Sequence, residues 1–141
     1  MAVESRAEAK WSGDLAGGRG TVKPGSGAFS ELALTWHARA EDRASGSSPE
    51  ELIAAAHAGC FAMALSNGLA KAGHTPRELQ TSATVTFQAG EGITGIHLTV
   101  RGDVPGLDAA GFKEQAEAAK EGCPVSKALA AVPITLEVLE S

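Results

Sequence analysis

Cys60 and Cys123 are the only thiols in a chain of 141 residues, and their settings differ. Cys60 lies in the apolar run Ala54-Ala55-Ala56-His57-Ala58-Gly59-Cys60-Phe61-Ala62-Met63-Ala64-Leu65, and Cys123 directly precedes a proline in Gly122-Cys123-Pro124-Val125-Ser126. A buried thiol by itself is usually inert, whereas two brought together can carry redox chemistry. At a sequence separation of 63, only tertiary folding can join them. Local surroundings favour Cys123 as the more acidic thiol, because the free N–H groups of a helix start stabilise a thiolate; the plainer alternative is an N-cap alone. Cys60 sits too deep in its helix to feel the positive end of the dipole. His57, one turn back on the same face, or a guanidinium from another segment could activate it. Otherwise Cys60 is a small buried hydrophobe, and His57 a core histidine bonded to a backbone carbonyl.

The elements that must position these residues are legible in outline. Ser48-Pro49-Glu50-Glu51 is a helix start, with Ser48 as N-cap, Pro49 at N1 and Glu51 completing a capping box. The helix should run to about Lys71 and stop at Gly73. It is apolar all round and rich in Ala and Gly, which predicts a buried helix that another backbone approaches closely. Nothing else in the chain is long and apolar enough to cover it, so a partner subunit is expected to do so. Before it, the first 46 residues read as a β region: Glu4 to Trp11, a Gly-rich connection from Asp14 to Gly27, and Phe29 to Trp36 with Phe29, Leu32, Leu34 and Trp36 as core candidates. Gly17 to Gly20 reads as a hairpin turn rather than a phosphate loop, since no Gly-Lys-Ser/Thr follows. After it, Glu78–Gln88 and Ile93–Asp103 alternate as a hairpin through Ala89 to Gly92. Asp108 caps a helix over Ala109–Glu121 with Phe112, Ala116 and Ala119 inward. A short helix begins at Pro124, and a strand covers Ile134–Leu139. The order βββ–α–ββ–α–α–β is an α+β pattern.

Glu50 is free to pair with a cation, since Glu51 is occupied by the cap. Ten residues, about 15 Å of helix, separate Glu50 from Cys60. If both serve one centre, the simplest geometry takes Glu50 from a second, antiparallel helix of a symmetric dimer.

Bulk properties narrow the function classes. A hydrophobic fraction of 43% and a charged fraction of 21% describe an ordinary globular protein of one domain, residues 1–141. The net charge of −5, with no cluster of Lys and Arg, argues against nucleic-acid binding. No apolar leader follows Met1, and Leu52 to Leu65 is short for a membrane span, so no membrane association is expected. Two cysteines without a signal peptide predict a cytoplasmic protein with free or reactive thiols. His37, His57, His74 and His97 are scattered, so no metal site and no cofactor are expected.

The segment from Ser48 to Phe61, together with Gly122-Cys123-Pro124-Val125-Ser126, resembles the OsmC/Ohr family of thiol-dependent peroxidases that reduce organic hydroperoxides. The likeness extends over nearly the whole chain. It takes in Trp11-Ser12-Gly13, Gly18-Arg19-Gly20-Thr21-Val22, His37-Ala38-Arg39 and Val104-Pro105-Gly106-Leu107-Asp108. His57 and an arginine shortly before the helix favour the OsmC branch. The resemblance implies antiparallel sheets wrapped around long buried central helices in an intertwined homodimer with shared active sites. It implies that Cys60 is the peroxidatic cysteine, reversing the local ranking, and Cys123 the resolving one. Glu50 then pairs with a catalytic arginine, Arg39 or alternatively Arg43. The implied partners are an organic hydroperoxide and a dithiol reductant such as dihydrolipoamide or a lipoylated protein; the apolar surroundings of Cys60, with Phe61, Met63 and Leu65 nearby in sequence, suit an alkyl or fatty-acyl peroxide. A non-catalytic cysteine-pair redox sensor, and a structural or ligand-binding protein of the same fold, are the other readings.

Overall fold

A computed structural model describes residues 1–140, and these divide into two compact units, residues 1–52 and those from 53 onward. In the first unit, strands β1 (Ala7–Ser12), β2 (Arg19–Pro24) and β3 (Leu32–Leu34) form an antiparallel sheet in that order. The pairing of Ser12 with Arg19 closes a hairpin turn that takes in Gly17 and Gly18, while Arg19 and Gly20, predicted as part of the turn, belong to β2. Two expectations fail here. The Gly-rich stretch from Asp14 to Gly27 is not merely a connection, because it contains β2, which has no alternating pattern: Gly20 carries no side chain, and the adjacent Thr21 and Val22 are both half-buried. Trp36 does not end a strand. It opens a short helix, α1 (Trp36–Ala40), because the Thr35 hydroxyl accepts the Ala38 N–H at 3.0 Å and turns the chain. Phe29 is exposed, while Leu32 and Leu34 are half-buried.

After a 3-10 turn at Arg43–Ser45 comes the long helix α2 (Pro49–Lys71). The Ser48 hydroxyl accepts the Glu51 N–H at 3.0 Å, as a capping residue should. The reciprocal half of the box is replaced: the Glu51 carboxylate accepts the Ser47 hydroxyl at 2.7 Å. At the other end, His74 N–H bonds Leu69 C=O (2.8 Å) and Gly73 N–H bonds Ala70 C=O (3.0 Å), with Gly73 at φ +89°. This is the Schellman closure, and its left-handed residue is glycine because a Cβ would be strained there.

In the second unit, β4 (Glu78–Gln88), β5 (Gly92–Asp103) and β6 (Ile134–Val138) form one sheet, with α3 (Ala109–Gly122) and α4 (Pro124–Ala128) between β5 and β6. The β4–β5 hairpin is antiparallel. β6, however, runs parallel to β5, pairing Ile96 with Ile134 through Val100 with Val138, so the sheet is mixed rather than wholly antiparallel. The helical crossover makes this possible, since parallel neighbours need a long connection. Asp108 caps α3 by accepting Gly111 N–H at 2.8 Å.

The core of this unit joins Phe61, Leu65 and Leu69 of α2 to Leu98 and Val100 of β5 and Phe112 and Ala116 of α3. Burying each large side chain contributes about 1.5–3 kcal/mol. Spacing by four residues sends Phe61, Leu65 and Leu69 to one face, with His57 continuing the line. The rest of α2 finds no cover within the chain, the condition under which a partner subunit is expected. Only one face is buried within the chain, and Ala55, Ala56, Gly59 and Met63 stand exposed, Met63 at 75%. By length and composition α2 would also suffice to cross a membrane, being longer than the apolar run that its sequence suggests. Its core contacts make it a structural helix.

Candidate functional site

The two cysteines meet. Cys60 and Cys123 are both free thiols, and their sulfurs lie 3.0 Å apart, within hydrogen-bonding distance. Their positions follow from the elements beneath them. Thr81 of β4 donates its hydroxyl to the Ala58 carbonyl at 2.9 Å, fastening α2 to the sheet just before Cys60. Gly122 ends α3, and Pro124 takes the first position of α4, leaving Cys123 as the residue between the helices. Cys123 is fully buried, whereas Cys60 is half-buried and opens onto a groove of about 830 Å³. Met63, Gly59, Ala64, Ala118 and Pro124 contribute its mainly apolar lining. Phe61 and Leu65 do not line it, because the helix turns both into the core.

The electrostatics of the pair are unequal. Burial pushes the Cys60 thiol up, and so does its contact with Cys123; the Val125 N–H opposes them without prevailing. Burial acts on Cys123 in the same sense and is its largest single influence. Yet the bond from Cys60, the N–H and hydroxyl of Ser126, and the Val125 N–H together hold Cys123 below the ordinary thiol range. These amides act without a close capping bond to the sulfur. The more acidic sulfur is therefore Cys123, as its local sequence predicts.

His57 does not serve Cys60 directly. Its Nε2 lies 2.7 Å from Ser126 Oγ, and both residues are buried. The partner is a side-chain hydroxyl, not the backbone carbonyl that a core histidine suggests, and burial pushes His57 down so that the ring is neutral. Ser126 is the residue that sequence reasoning left without a role. The available signal was its place in the first turn of α4, three residues after Cys123; its pairing with His57 spans 69 residues and has no local signature.

In the first unit, Arg39 of α1 grips Glu50 of α2 in a fork. Nε lies 3.0 Å from Oε1 and 3.3 Å from Oε2, and Nη2 lies 2.9 Å from Oε2. The Glu50 side chain is 3% exposed and that of Arg39 33%. Hydrogen bonding to Glu50 is the main cause raising the Arg39 pKa above its ordinary value. Arg39 also borders a cavity of about 280 Å³ with Trp11, Leu15, Leu34 and Trp36. Arg43 is engaged otherwise, donating to the Ala38 and Arg39 carbonyls at the end of α1. Among the described residues, no three His, Cys, Asp or Glu side chains cluster as metal ligands would.

Known proteins resemble this chain in sequence and in fold. Residues 40–137 match the family model described as OsmC-like protein, a span holding Glu50, Cys60 and Cys123 and beginning one residue after Arg39. Peroxiredoxin OsmC of Escherichia coli (strain K12) is 44% identical over 140 residues, covering 97% of this chain and 96% of that one. Among solved structures, the organic hydroperoxide resistance protein OhrB of Bacillus subtilis superposes with a TM-score of 0.65 at 25% identity, over 95% of this chain and 98% of that one. The organic hydroperoxide resistance protein OsmC from Legionella pneumophila gives 0.71 at 24% identity, over 98% of both chains, a likeness of fold. With near full-length identity to one relative and a family match over most of its residues, the chain belongs to the OsmC-like protein family.

Proposed function

We propose that this peroxidase reduces organic hydroperoxides to alcohols, with Cys60 as the attacking sulfur and Cys123 as the resolving one. The observation that carries the reading is the 3.0 Å contact between two reduced sulfurs, one buried and one opening onto an apolar groove. The Cys60 thiolate attacks the distal peroxide oxygen; the O–O bond breaks, and the alkoxide takes a proton to leave as alcohol. Cys60 is left as sulfenic acid. Cys123 attacks that sulfur, hydroxide departs and is protonated to water, and the disulfide forms. A dithiol, of which dihydrolipoamide or a lipoylated protein is the expected form, supplies the two electrons that reopen it. The groove suits an alkyl or fatty-acyl peroxide better than hydrogen peroxide.

Within one subunit's cysteine pair the charge favours Cys123, so Cys60 needs a cation to become the nucleophile. We assign that role to Arg39, oriented by Glu50 and supplied by a second copy of the chain in a homodimer. The exposed Ala55, Ala56, Gly59 and Met63 face of α2 is what such a dimer would cover. Intact mass tests the reading. After one equivalent of cumene hydroperoxide, wild type should lose two hydrogens, Cys123→Ser should stop at a Cys60 sulfenic acid, and Cys60→Ser should not turn over. Equal turnover by Cys60→Ser and wild type refutes the mechanism, and a stable, fully active monomer refutes the shared site.

A further inference from the structure

Both tryptophans of the chain, Trp11 and Trp36, border the cavity beside Arg39. We propose that this cavity is a binding site for the organic body of the hydroperoxide, an aryl or branched-alkyl group, and that Trp11 and Leu15 set the preference for such substrates. The proposal rests on the peroxidase reading above, with Arg39 as the group that meets the peroxide.

The glycines of the first hairpin build one wall of this cavity. Trp11 pairs with Gly20 across β1 and β2. A Cβ on Gly20 would lie 2.6 Å from Cε3 of the indole, and one on Gly18 would lie 2.9 Å from its Nε1. The indole therefore lies over the two glycines, in space that a side chain at either position would take. Its one polar atom is engaged by the turn: Nε1 donates to the Gly13 carbonyl at 3.0 Å and to the Asp14 carbonyl at 3.3 Å. With that edge satisfied, what Trp11 offers outward is apolar ring surface, and the residue is 43% exposed.

The rest of the lining is apolar around a single cation. Leu15, Leu34, Trp36 and Pro49 add hydrocarbon surface, and the Thr35 hydroxyl already accepts the Ala38 N–H. Trp36 and Arg39 lie three residues apart on α1 and so share a face. The guanidinium thus stands beside the apolar wall, while Glu50 fixes its direction. Leu15 is 56% exposed, and together with Trp11 it leaves large apolar surface open at this one place, which an apolar ligand gains by covering. At about 280 Å³ the cavity is small among ligand sites, with room for a group of cumyl size.

An organic hydroperoxide has the matching polarity, an apolar body that ends in a polar O–O–H group. With the body against Trp11 and Trp36, the peroxide oxygens come to the guanidinium. Hydrogen peroxide has no body and takes nothing from the indoles. A second copy that supplies Arg39 to Cys60 supplies this wall with it, in addition to the apolar groove at Cys60.

The chain has two tryptophans and no tyrosine, and both tryptophans border the cavity, so intrinsic fluorescence reads its occupancy without turnover. In Cys60→Ser, 2-phenyl-2-propanol, the alcohol that cumene hydroperoxide leaves, should shift the emission to shorter wavelength and saturate, as water leaves the indoles. Ethanol at the same concentration should not. Adding Trp11→Ala should weaken that binding about tenfold. Leu15→Ser, at an exposed turn position, should weaken it about threefold and covers the case in which the Trp11 variant fails to fold. With Cys60 present, Trp11→Ala should lower the preference for cumene hydroperoxide over hydrogen peroxide, taken as the ratio of their kcat/KM values, about tenfold, and the change should lie in KM. A loss shared equally by the two peroxides overturns the proposal, as does emission that the alcohol does not move. Emission that responds to dilution of the protein but not to the alcohol would overturn it in favour of a cavity filled by the second copy. Saturable alcohol binding in a protein that turns over no peroxide would keep the binding site and reject the peroxidase cycle.

Discussion

Replacing Glu50 with glutamine removes one charge from the Arg39–Glu50 fork while nearly preserving side-chain size. Taking one partner from a buried ion pair costs about 3–5 kcal/mol, because the other charge is left in the interior. Two features of this pair reduce that figure. Arg39 keeps a third of its side chain in solvent and regains part of its hydration. Glutamine also keeps one oxygen to accept from Nε, now 3.0 Å from Oε1, although its amide nitrogen must face the donor Nη2. The expected loss is about 2 kcal/mol. At about 4 °C per kcal/mol for a chain of this size, the melting midpoint should fall by roughly 8 °C. Glu51→Gln is the internal control. It lies one residue away on the same helix, but it is exposed, and its carboxylate holds only the Ser47 hydroxyl, so its loss should be about 0.5 kcal/mol. Urea unfolding of the two variants side by side measures the difference. Equal losses would refute the view that burial makes the Glu50 fork the costly one to break. The same Glu50→Gln protein should reduce cumene hydroperoxide with kcat/KM at least tenfold lower, since a guanidinium that has lost its two-pronged hold is less firmly directed.

Two further outcomes follow from the geometry. Arg39→Ala should slow peroxide reduction far more than Arg43→Ala, whose guanidinium only braces backbone carbonyls of α1; stopped-flow oxidation of Cys60 measures both, and the reverse order would move the catalytic role to Arg43. His57 should leave a mark on acid stability. Burial lowers its folded-state pKa, so below the unfolded value of about 6.5 the unfolded chain binds the extra proton, and stability falls with pH by up to about 1.4 kcal/mol per unit. His57→Gln should lose that slope when urea midpoints are compared at about pH 7 and pH 5; an unchanged slope would mean that His57 is not held neutral.

What the sequence disclosed and what it concealed divide along a physical line. Ser48, Gly73, Asp108 and the Cys123–Pro124 step are punctuation marks whose chemistry acts within four residues, and each is found where its type predicts. β2 was concealed because Gly20 and the neighbouring half-buried Thr21 and Val22 leave no alternation to read. Trp36 misled because it continues the alternation of Leu32 and Leu34, while the Thr35 cap that bends the chain is a weaker cue. Within the site, the acidity of Cys123 was legible from its place at a helix start. Its approach to Cys60 has no local signature and was expected only through the family resemblance, and the bond between His57 and Ser126 was not legible, because both depend on where α3 and α4 carry the chain. The Arg39–Glu50 fork lies between these cases: the resemblance pointed to Arg39 with Arg43 as the alternative, and the direction of α1 makes Arg39 the one that grips Glu50.

The short gap between the two sulfurs has a consequence for signalling. A disulfide needs its sulfurs about 2.0 Å apart, and these begin at 3.0 Å, so oxidation asks for an approach of about 1 Å. Rotation of two side chains already facing each other accomplishes that, with both helices staying where they are. Oxidised and reduced forms then present nearly the same outer surface. A protein that reports redox state to a partner needs two distinguishable faces, and here the partner would have almost nothing to read. The arrangement suits a device that cycles rapidly and resets, and it counts against one that stores a message.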